Sequence, residues 1–132
     1  MKLIKEKEID GNTVYYGFSL GAYALMEIAT KIHLDKIVLI SPSPLFTDTV
    51  FDIPEEYRKD YVKNINIDKT LAETCNRITS PTEIYVGENE KDFMKNIALK
   101  IATHLNIQLH IVKGFEHEEG LFNKVYCDLS KS

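Results

Sequence analysis

The chain has 132 residues and a mass of 15.1 kDa, which is enough to bury one hydrophobic core and too little for two domains. With 44% hydrophobic and 27% charged residues, its composition is typical of globular proteins and excludes the disordered and fibrous classes. A formal net charge of -4 gives no attraction for phosphate backbones, so we expect no nucleic-acid partner.

Membrane, export and metal signals are weak in this sequence. The longest apolar runs, such as Ile37 to Ile40, are far shorter than the roughly 20 residues of a membrane helix, and Met1 to Glu8 lacks the apolar region of a signal peptide. We therefore expect a cytoplasmic protein with no membrane partner. Cys75 and Cys127 have no second thiol or histidine at ligand spacing, which predicts reduced thiols and no metal site.

The first predicted elements are a hairpin, a helix and a buried strand. Lys2 to Ile9 alternates charged and apolar residues, and Asp10-Gly11-Asn12 predicts a tight turn into a strand over Thr13 to Tyr16. Ser19 to Lys31 then carries apolar residues at helical spacing. Lys36 to Ile40 is a β-branched apolar run without polar alternation, which is typical of a strand covered on both faces.

A long insertion of about 40 residues follows, from Pro42 to Pro81. It contains two predicted helices, Glu55 to Lys63 and Lys69 to Asn76. The apolar and aromatic side chains of Phe46 to Ile67 either cap an apolar pocket or pack as a helix on the sheet edge.

The last third of the chain continues the alternation of strands and helices. A strand over Glu83 to Val86 precedes a helical apolar stripe from Phe93 to Leu105, an edge strand over Gln108 to Val112, and a final helix over Glu118 to Leu129. Such alternation predicts an α/β fold of three layers, in which about four parallel strands and the N-terminal antiparallel strand form one sheet. We expect one domain spanning residues 1–132.

The motif Gly17-Phe18-Ser19-Leu20-Gly21 lies between a predicted strand and a predicted helix. In a G-x-S-x-G elbow, the serine occupies a strained tight turn, and the two glycines let the backbone pass close to its neighbours. The alternative is that Ser19 is an ordinary helix N-cap, but capping requires neither flanking glycine.

With this motif the sequence resembles the α/β-hydrolase superfamily, whose order of catalytic residues is nucleophile, acid, histidine. The resemblance implies that Ser19 is the nucleophile. In Tyr85-Val86-Gly87-Glu88-Asn89-Glu90, the family's strand-then-loop pattern implies Glu90 as the acid. Asp92 is the alternative acid, although it also fits a first-turn helix acid, and Glu88 is a weaker candidate.

The same resemblance assigns the base. Val112-Lys113-Gly114-Phe115-Glu116-His117 is similar to the loop that returns the family's histidine to the elbow, so His117 is the implied base. The competing explanation is a solvated surface loop, because three glutamates surround His117. We interpret His33, His104 and His110 as structural.

The resemblance covers only the C-terminal half of the hydrolase fold, because 12 residues precede Thr13 where the family has several strands. The elbow strand therefore needs a cover, either the hairpin strand or a second copy in a homodimer. The oxyanion hole retains the Leu20 N–H but loses the donor of the upstream loop. A substitute donor from Met1 to Lys5 or from Pro42 to Leu45 is one solution, and loss of activity is another.

The resemblance implies a serine hydrolase that cleaves a small carboxylic ester or thioester through an acyl-Ser19 intermediate and needs no metal or organic cofactor. The main rival is a catalytically degenerate domain that binds an acyl ligand or a protein partner. A third hypothesis, one subunit of a split enzyme, is disfavoured by the Asp10-Gly11-Asn12 hairpin, which is a local solution to the missing strand.

Overall fold

The computed structural model describes residues 3–43 and 67–130. Within them a five-stranded sheet has its strands in chain order: β1 (Ile4–Ile9), β2 (Asn12–Phe18), β3 (Lys36–Ile40), β4 (Thr82–Gly87) and β5 (Leu109–Val112). The described helices are α1 (Leu20–Ala29), α2 (Ile67–Asn76), α3 (Asp92–Leu105) and α4 (Glu119–Leu129). β1 is antiparallel to β2 and the other neighbours are parallel, which confirms the predicted mixed α/β sheet.

The N-terminal hairpin covers the edge of the elbow strand. Asp10 and Gly11 form its two-residue turn with φ angles of 52° and 85°, the left-handed values that a tight hairpin turn of this kind requires at both positions. β1 pairs with β2 along its length, from Ile4 opposite Gly17 to Ile9 opposite Asn12. The edge at which a second copy would have paired is thus occupied within the chain, and the homodimer stays a prediction.

Two lysines of β1 attach the hairpin to the last helix. Because alternate residues of a strand share a face, Lys5 and Lys7 point to the same side of the sheet. Lys5 Nζ lies 5.4 Å from the ring centre of Phe122 and 5.0 Å from that of Tyr126. Lys7 Nζ donates a 2.8 Å hydrogen bond to the Ser130 carbonyl. The hairpin is therefore fixed to α4 as well as to β2.

Of the described helices, three cover one face of the sheet and one covers the other. Right-handed crossovers that advance in one direction across a sheet put their helices on the same face, and α1, α2 and α3 share one hydrophobic core with the sheet. The opposite core joins α4 to β2 and β3, through the buried side chains of Val14, Tyr16, Phe18, Val38, Ile40, Leu121, Phe122 and Val125. Both faces of β3 are consequently buried, as its apolar sequence predicted.

The structure tests some of the predicted positions and boundaries of the strands and helices. Among the strands of residues 3–43 and 67–130, β5 lies at the edge of the sheet, as predicted, and α2 begins two residues before the predicted Lys69. The predicted helix over Glu55 to Lys63 lies outside the described residues, and so does the proposed cap over Phe46 to Ile67 apart from its last residue. None of the helices in residues 3–43 and 67–130 combines the length and apolar character needed to cross a bilayer.

Candidate active site

Ser19 occupies a strained turn between the last residue of β2 and the first residue of α1. Its backbone has φ 56° and ψ -120°, a combination that costs a non-glycine residue about 1–3 kcal/mol. Neighbouring backbone holds the turn in place. The Ser19 N–H donates to the Ile40 carbonyl at 3.0 Å, and the Ser19 carbonyl accepts from the N–H groups of Ser43 at 3.0 Å and Ala22 at 3.1 Å.

The two glycines of the motif are required by close backbone contacts. A Cβ on Gly17 would lie 2.7 Å from the Ala22 Cα, and a Cβ on Gly21 would lie 2.3 Å from the Leu3 carbonyl oxygen. Both distances are shorter than any tolerated carbon contact. Gly17 thus lets the helix turn back tightly over its strand, and Gly21 lets the N-terminal segment pass beside the helix.

Ser19, His117 and Glu90 form a continuous hydrogen-bonded chain. His117 Nδ1 lies 2.7 Å from Glu90 Oε1, and His117 Nε2 lies 2.8 Å from Ser19 Oγ. Because an ionised carboxylate only accepts hydrogen bonds, Nδ1 must be the donor to Glu90. In the neutral ring, Nε2 then accepts from the Ser19 hydroxyl. This is the tautomer in which an imidazole removes a proton from serine.

The Glu90 carboxylate is buried and fully engaged. The residue is 4% exposed, and its second oxygen, Oε2, accepts hydrogen bonds from the Gly87 N–H at 2.5 Å and from the Ser41 hydroxyl. Burial alone would raise the pKa of Glu90, but the hydrogen bonds from His117, Ser41 and the Gly87 N–H, with the attraction of His117, lower it below its ordinary value of 4.5. The carboxylate therefore remains charged at neutral pH.

The loops after β4 and β5 are bound to each other. The Glu88 N–H donates to the Val112 carbonyl and the Asn89 N–H to the Phe115 carbonyl, each at 2.9 Å. A Cβ on Gly87 would lie 2.3 Å from the Phe115 oxygen, so only glycine permits this approach. The His117 ring also stacks on Phe18, with ring centres 4.9 Å apart and planes inclined by 29°. These contacts aim the imidazole at Ser19.

Of the candidate acids, the structure brings Glu90 to His117. Asp92 begins α3, its side chain is 96% exposed, and its carboxylate lies 3.8 Å from Lys95 Nζ. Glu88 stabilises the turn after β5 instead, because its Oε1 accepts a 3.2 Å hydrogen bond from the Gly114 N–H.

Two groups at Glu90, the Ser41 hydroxyl and the Gly87 N–H, were not identified from the sequence. Ser41 directly follows the predicted strand over Lys36 to Ile40, and the sequence assigned it no role. Its link to Glu90 spans 49 residues and no local pattern encodes it.

The remaining histidines lie elsewhere. His33 Nδ1 is 2.9 Å from Thr79 Oγ1, and His110 stacks on Tyr85 with ring centres 4.7 Å apart. His104 is in the last turn of α3.

The N–H group that was expected to serve as an oxyanion donor belongs to Leu20. Leu20 is the first residue of α1, so its N–H has no carbonyl of its own helix to bind. Of the suggested substitutes, Pro42 has no N–H and the Ser43 N–H is bonded to the Ser19 carbonyl. Leu3 presents its carbonyl to the Phe18 N–H at 2.8 Å. Met1, Lys2, Pro44 and Leu45 lie outside the described residues.

A cleft of about 420 Å³ opens beside the hydrogen-bonded chain. Its described lining combines the apolar Met94 with polar and charged groups: Ser43, Asn89, Glu90, Lys91, Glu116 and His117. A larger cavity, about 650 Å³, lies between β1 and α1 and is lined by none of Ser19, Glu90 and His117. Of these two cavities, the 420 Å³ cleft is the one that Glu90 and His117 line.

Sequence comparisons and structure comparisons give different results. No protein-family model matches the chain, and a search of curated proteins found no match. Among solved structures, it resembles the α/β hydrolase enzyme MGS-MChE2 from the metagenome of lagoon sediments at Mar Chica, Morocco, with a TM-score of 0.56 and 18% identity over 91% of this chain and 61% of that one.

Two further solved structures are similar to the chain to a comparable degree. For Est1E from Butyrivibrio proteoclasticus the TM-score is 0.54 at 14% identity, covering 88% of this chain and 60% of that one. For the S-formylglutathione hydrolase FrmB from Staphylococcus aureus it is 0.52 at 16% identity, covering 86% and 47%. The chain thus spans about three fifths or less of the length of these proteins. Together with the sheet order, these similarities show that the chain has a reduced α/β-hydrolase fold, as its sequence predicted.

Proposed function

We propose that this protein is a serine hydrolase that cleaves a carboxylic ester or thioester through an acyl-Ser19 intermediate. The observation that carries the proposal is the unbroken chain from Ser19 Oγ through His117 to Glu90, with contacts of 2.8 and 2.7 Å. A serine hydroxyl is too weak an acid to ionise alone at neutral pH, and this arrangement supplies both a base and a carboxylate that stabilises the protonated base.

The reaction would proceed in two halves. Ser19 Oγ attacks the carbonyl carbon while its proton moves to His117 Nε2, and the negative charge on the carbonyl oxygen faces the Leu20 N–H. The tetrahedral intermediate collapses, and the leaving alkoxide or thiolate takes the proton from His117. Water then attacks the acyl-enzyme with His117 again as base, which releases the carboxylic acid and restores the Ser19 hydroxyl.

Ester and thioester substrates are favoured over amides by the family resemblance, and fold alone does not fix a reaction. The structural neighbours include an α/β hydrolase and an S-formylglutathione hydrolase, which agrees with a hydrolytic function. We expect the substrate to be a small acyl ester or thioester that binds in the 420 Å³ cleft. A cytoplasmic location is also part of the proposal.

The rival function is that of an inert hydrolase-fold domain that binds an acyl ligand or a protein. One observation favours it: among residues 3–43 and 67–130, only the Leu20 N–H is identified as an oxyanion donor. Losing one donor typically costs about 10²–10³ in rate. The reactivity of the Ser19 hydroxyl as a nucleophile therefore distinguishes a slow enzyme from an inert domain.

Reaction with a fluorophosphonate tests the proposal without knowledge of the substrate. We expect one covalent adduct on the wild-type protein by intact mass, and none on Ser19→Ala or His117→Ala. Ser80→Ala is a matched control, because this serine is also buried and its hydroxyl accepts a hydrogen bond from the Leu34 N–H, away from Ser19 and the cleft. A folded wild-type protein that forms no adduct at high probe concentration would refute the hydrolase and leave the binding domain.

A further inference from the structure

Ser41 lies directly after β3, one residue beyond the carbonyl that binds the Ser19 N–H. It is completely buried, and its N–H donates to the Tyr85 carbonyl at 2.8 Å. Ser41 is thereby fixed between the strand beside the elbow and the strand that leads to Glu90.

The Ser41 hydroxyl contacts the side of Glu90 that faces away from His117. It donates to Glu90 Oε2, which also accepts from the Gly87 N–H at 2.5 Å. The other oxygen, Oε1, lies 2.7 Å from His117 Nδ1. The two carboxylate oxygens thus have separate partners, two fixed donors for one and the imidazole for the other.

The backbone at Ser41 is strained. Its φ of 47° lies in the left-handed region, where a non-glycine residue is uncommon and glycine would be relaxed. A buried residue that combines this conformation with a side chain bonded to Glu90 indicates that the hydroxyl has a role, because glycine would fit the turn at lower cost.

We propose that Ser41 is a positioning residue of the hydrolytic site, whose hydroxyl holds the Glu90 carboxylate so that Oε1 stays aimed at His117. A glutamate side chain has three rotatable bonds, and a single hydrogen bond to the imidazole leaves it free to swing. The Gly87 N–H fixes Oε2 from the glutamate's own loop, and Ser41 fixes it from the neighbouring strand. The inference rests on the proposed function for its catalytic consequence, while the orientation of Glu90 is testable separately.

The electrostatics of the site agree with this role. The hydrogen bond from Ser41 is among the interactions that lower the pKa of Glu90 against the opposing effect of burial. Removing the hydroxyl leaves a buried carboxylate with one fewer donor, so the pKa of Glu90 should rise toward its ordinary value or above it.

The experiment compares Ser41→Ala with Ser80→Ala. Ser80 is also buried and lies just before β4, away from the elbow. Its hydroxyl accepts a 2.8 Å hydrogen bond from the Leu34 N–H. Both variants delete one buried, bonded hydroxyl, so they share the general cost of that deletion. The carboxyl ¹³C resonance of Glu90 is titrated in each, and the second-order rate of fluorophosphonate labelling is measured across pH.

For Ser41→Ala we expect a higher titration midpoint for Glu90 and labelling slowed about tenfold, the lower end for a hydrogen bond to a charged group. Ser80→Ala should leave both unchanged. Ser41→Cys, which keeps a weak donor on a slightly larger atom, should fall between wild type and Ser41→Ala, and it replaces the alanine variant if that fails to fold.

Two results would overturn the proposal: an unchanged Glu90 titration in Ser41→Ala, or equal slowing in Ser41→Ala and Ser80→Ala. If the wild-type protein does not label at all, the proposed function fails, and the Glu90 titration still decides whether Ser41 positions the carboxylate.

Discussion

The candidate site consists of two regions that are built in different ways. The elbow around Ser19 is local: five consecutive residues at the junction of β2 and α1 form it by strained backbone and close contacts at glycines. The acid–base region is non-local. Ser41, Gly87, Glu90 and His117 come from the ends of three strands, and hydrogen bonds join them. Local construction leaves a pattern in the sequence, whereas non-local construction leaves isolated residues whose partners are visible only in the fold.

The largest effect expected from breaking the acid–base region is that of Glu90→Gln. The amide keeps the size of the side chain but loses the charge and no longer enforces an Nδ1 proton on His117. By analogy with an acid-to-amide change in a serine protease triad, labelling of Ser19 should slow about 10³- to 10⁴-fold. The second-order rate constant for fluorophosphonate adduct formation measures it.

Asp92→Asn is the matched control for that experiment. It removes the other candidate carboxylate, which is 96% exposed on the first turn of α3, so its labelling rate should stay within about twofold of wild type. If Asp92→Asn slowed the reaction as strongly as Glu90→Gln, the assignment of the acid to Glu90 would be wrong.

The difference in construction explains what the sequence could predict. Gly17, Ser19 and Gly21 were found because a tight strand-to-helix turn dictates residue types at fixed spacing. Glu90 and His117 were assigned by resemblance, with Asp92 left open, because two acids near the start of a helix look equivalent without the fold. Ser41 was missed because serine after a strand is common and its contact with Glu90 depends on the pairing of β3 with β4.

The elbow should be broken most directly by Gly17→Ala. The added Cβ would lie 2.7 Å from the Ala22 Cα and 2.8 Å from the Ala22 nitrogen, both backbone atoms that cannot rotate away. We expect a loss of about 1–3 kcal/mol in the free energy of unfolding, measured by urea denaturation, because α1 must move off its strand. Labelling of Ser19 should slow in the same variant.

Gly120→Ala is the control for a glycine without such contacts. The nearest heavy atom to its added Cβ is a Phe115 ring carbon at 3.5 Å, and Gly120 lies in the first turn of α4. Here alanine should leave stability unchanged or raise it by up to about 1 kcal/mol through helix propensity. If both variants lost the same free energy of unfolding, the close contact with Ala22 would not be the reason that position 17 requires glycine.

The smallest expected effect is that of Glu90 ionisation on the free energy of unfolding. It distinguishes the two regions, because only the acid–base region should become less stable as this carboxylate is protonated. The pKa of Glu90 is lower in the folded protein than its ordinary value of 4.5, so the unfolded chain binds this proton more readily. The stabilisation is therefore fully present above about pH 5 and is lost as pH falls below 4.5 through the folded value.

Urea midpoints of wild type and Glu90→Gln, measured from pH 7 to pH 3, would show this as a difference that shrinks on acidification. The stability change in Gly17→Ala should show no such trend, because the elbow contact involves no titrating group. A Glu90→Gln difference that stayed constant over the whole range would mean that the hydrogen bonds around the carboxylate contribute nothing through its charge, and that the acid–base region, like the elbow, is held by packing.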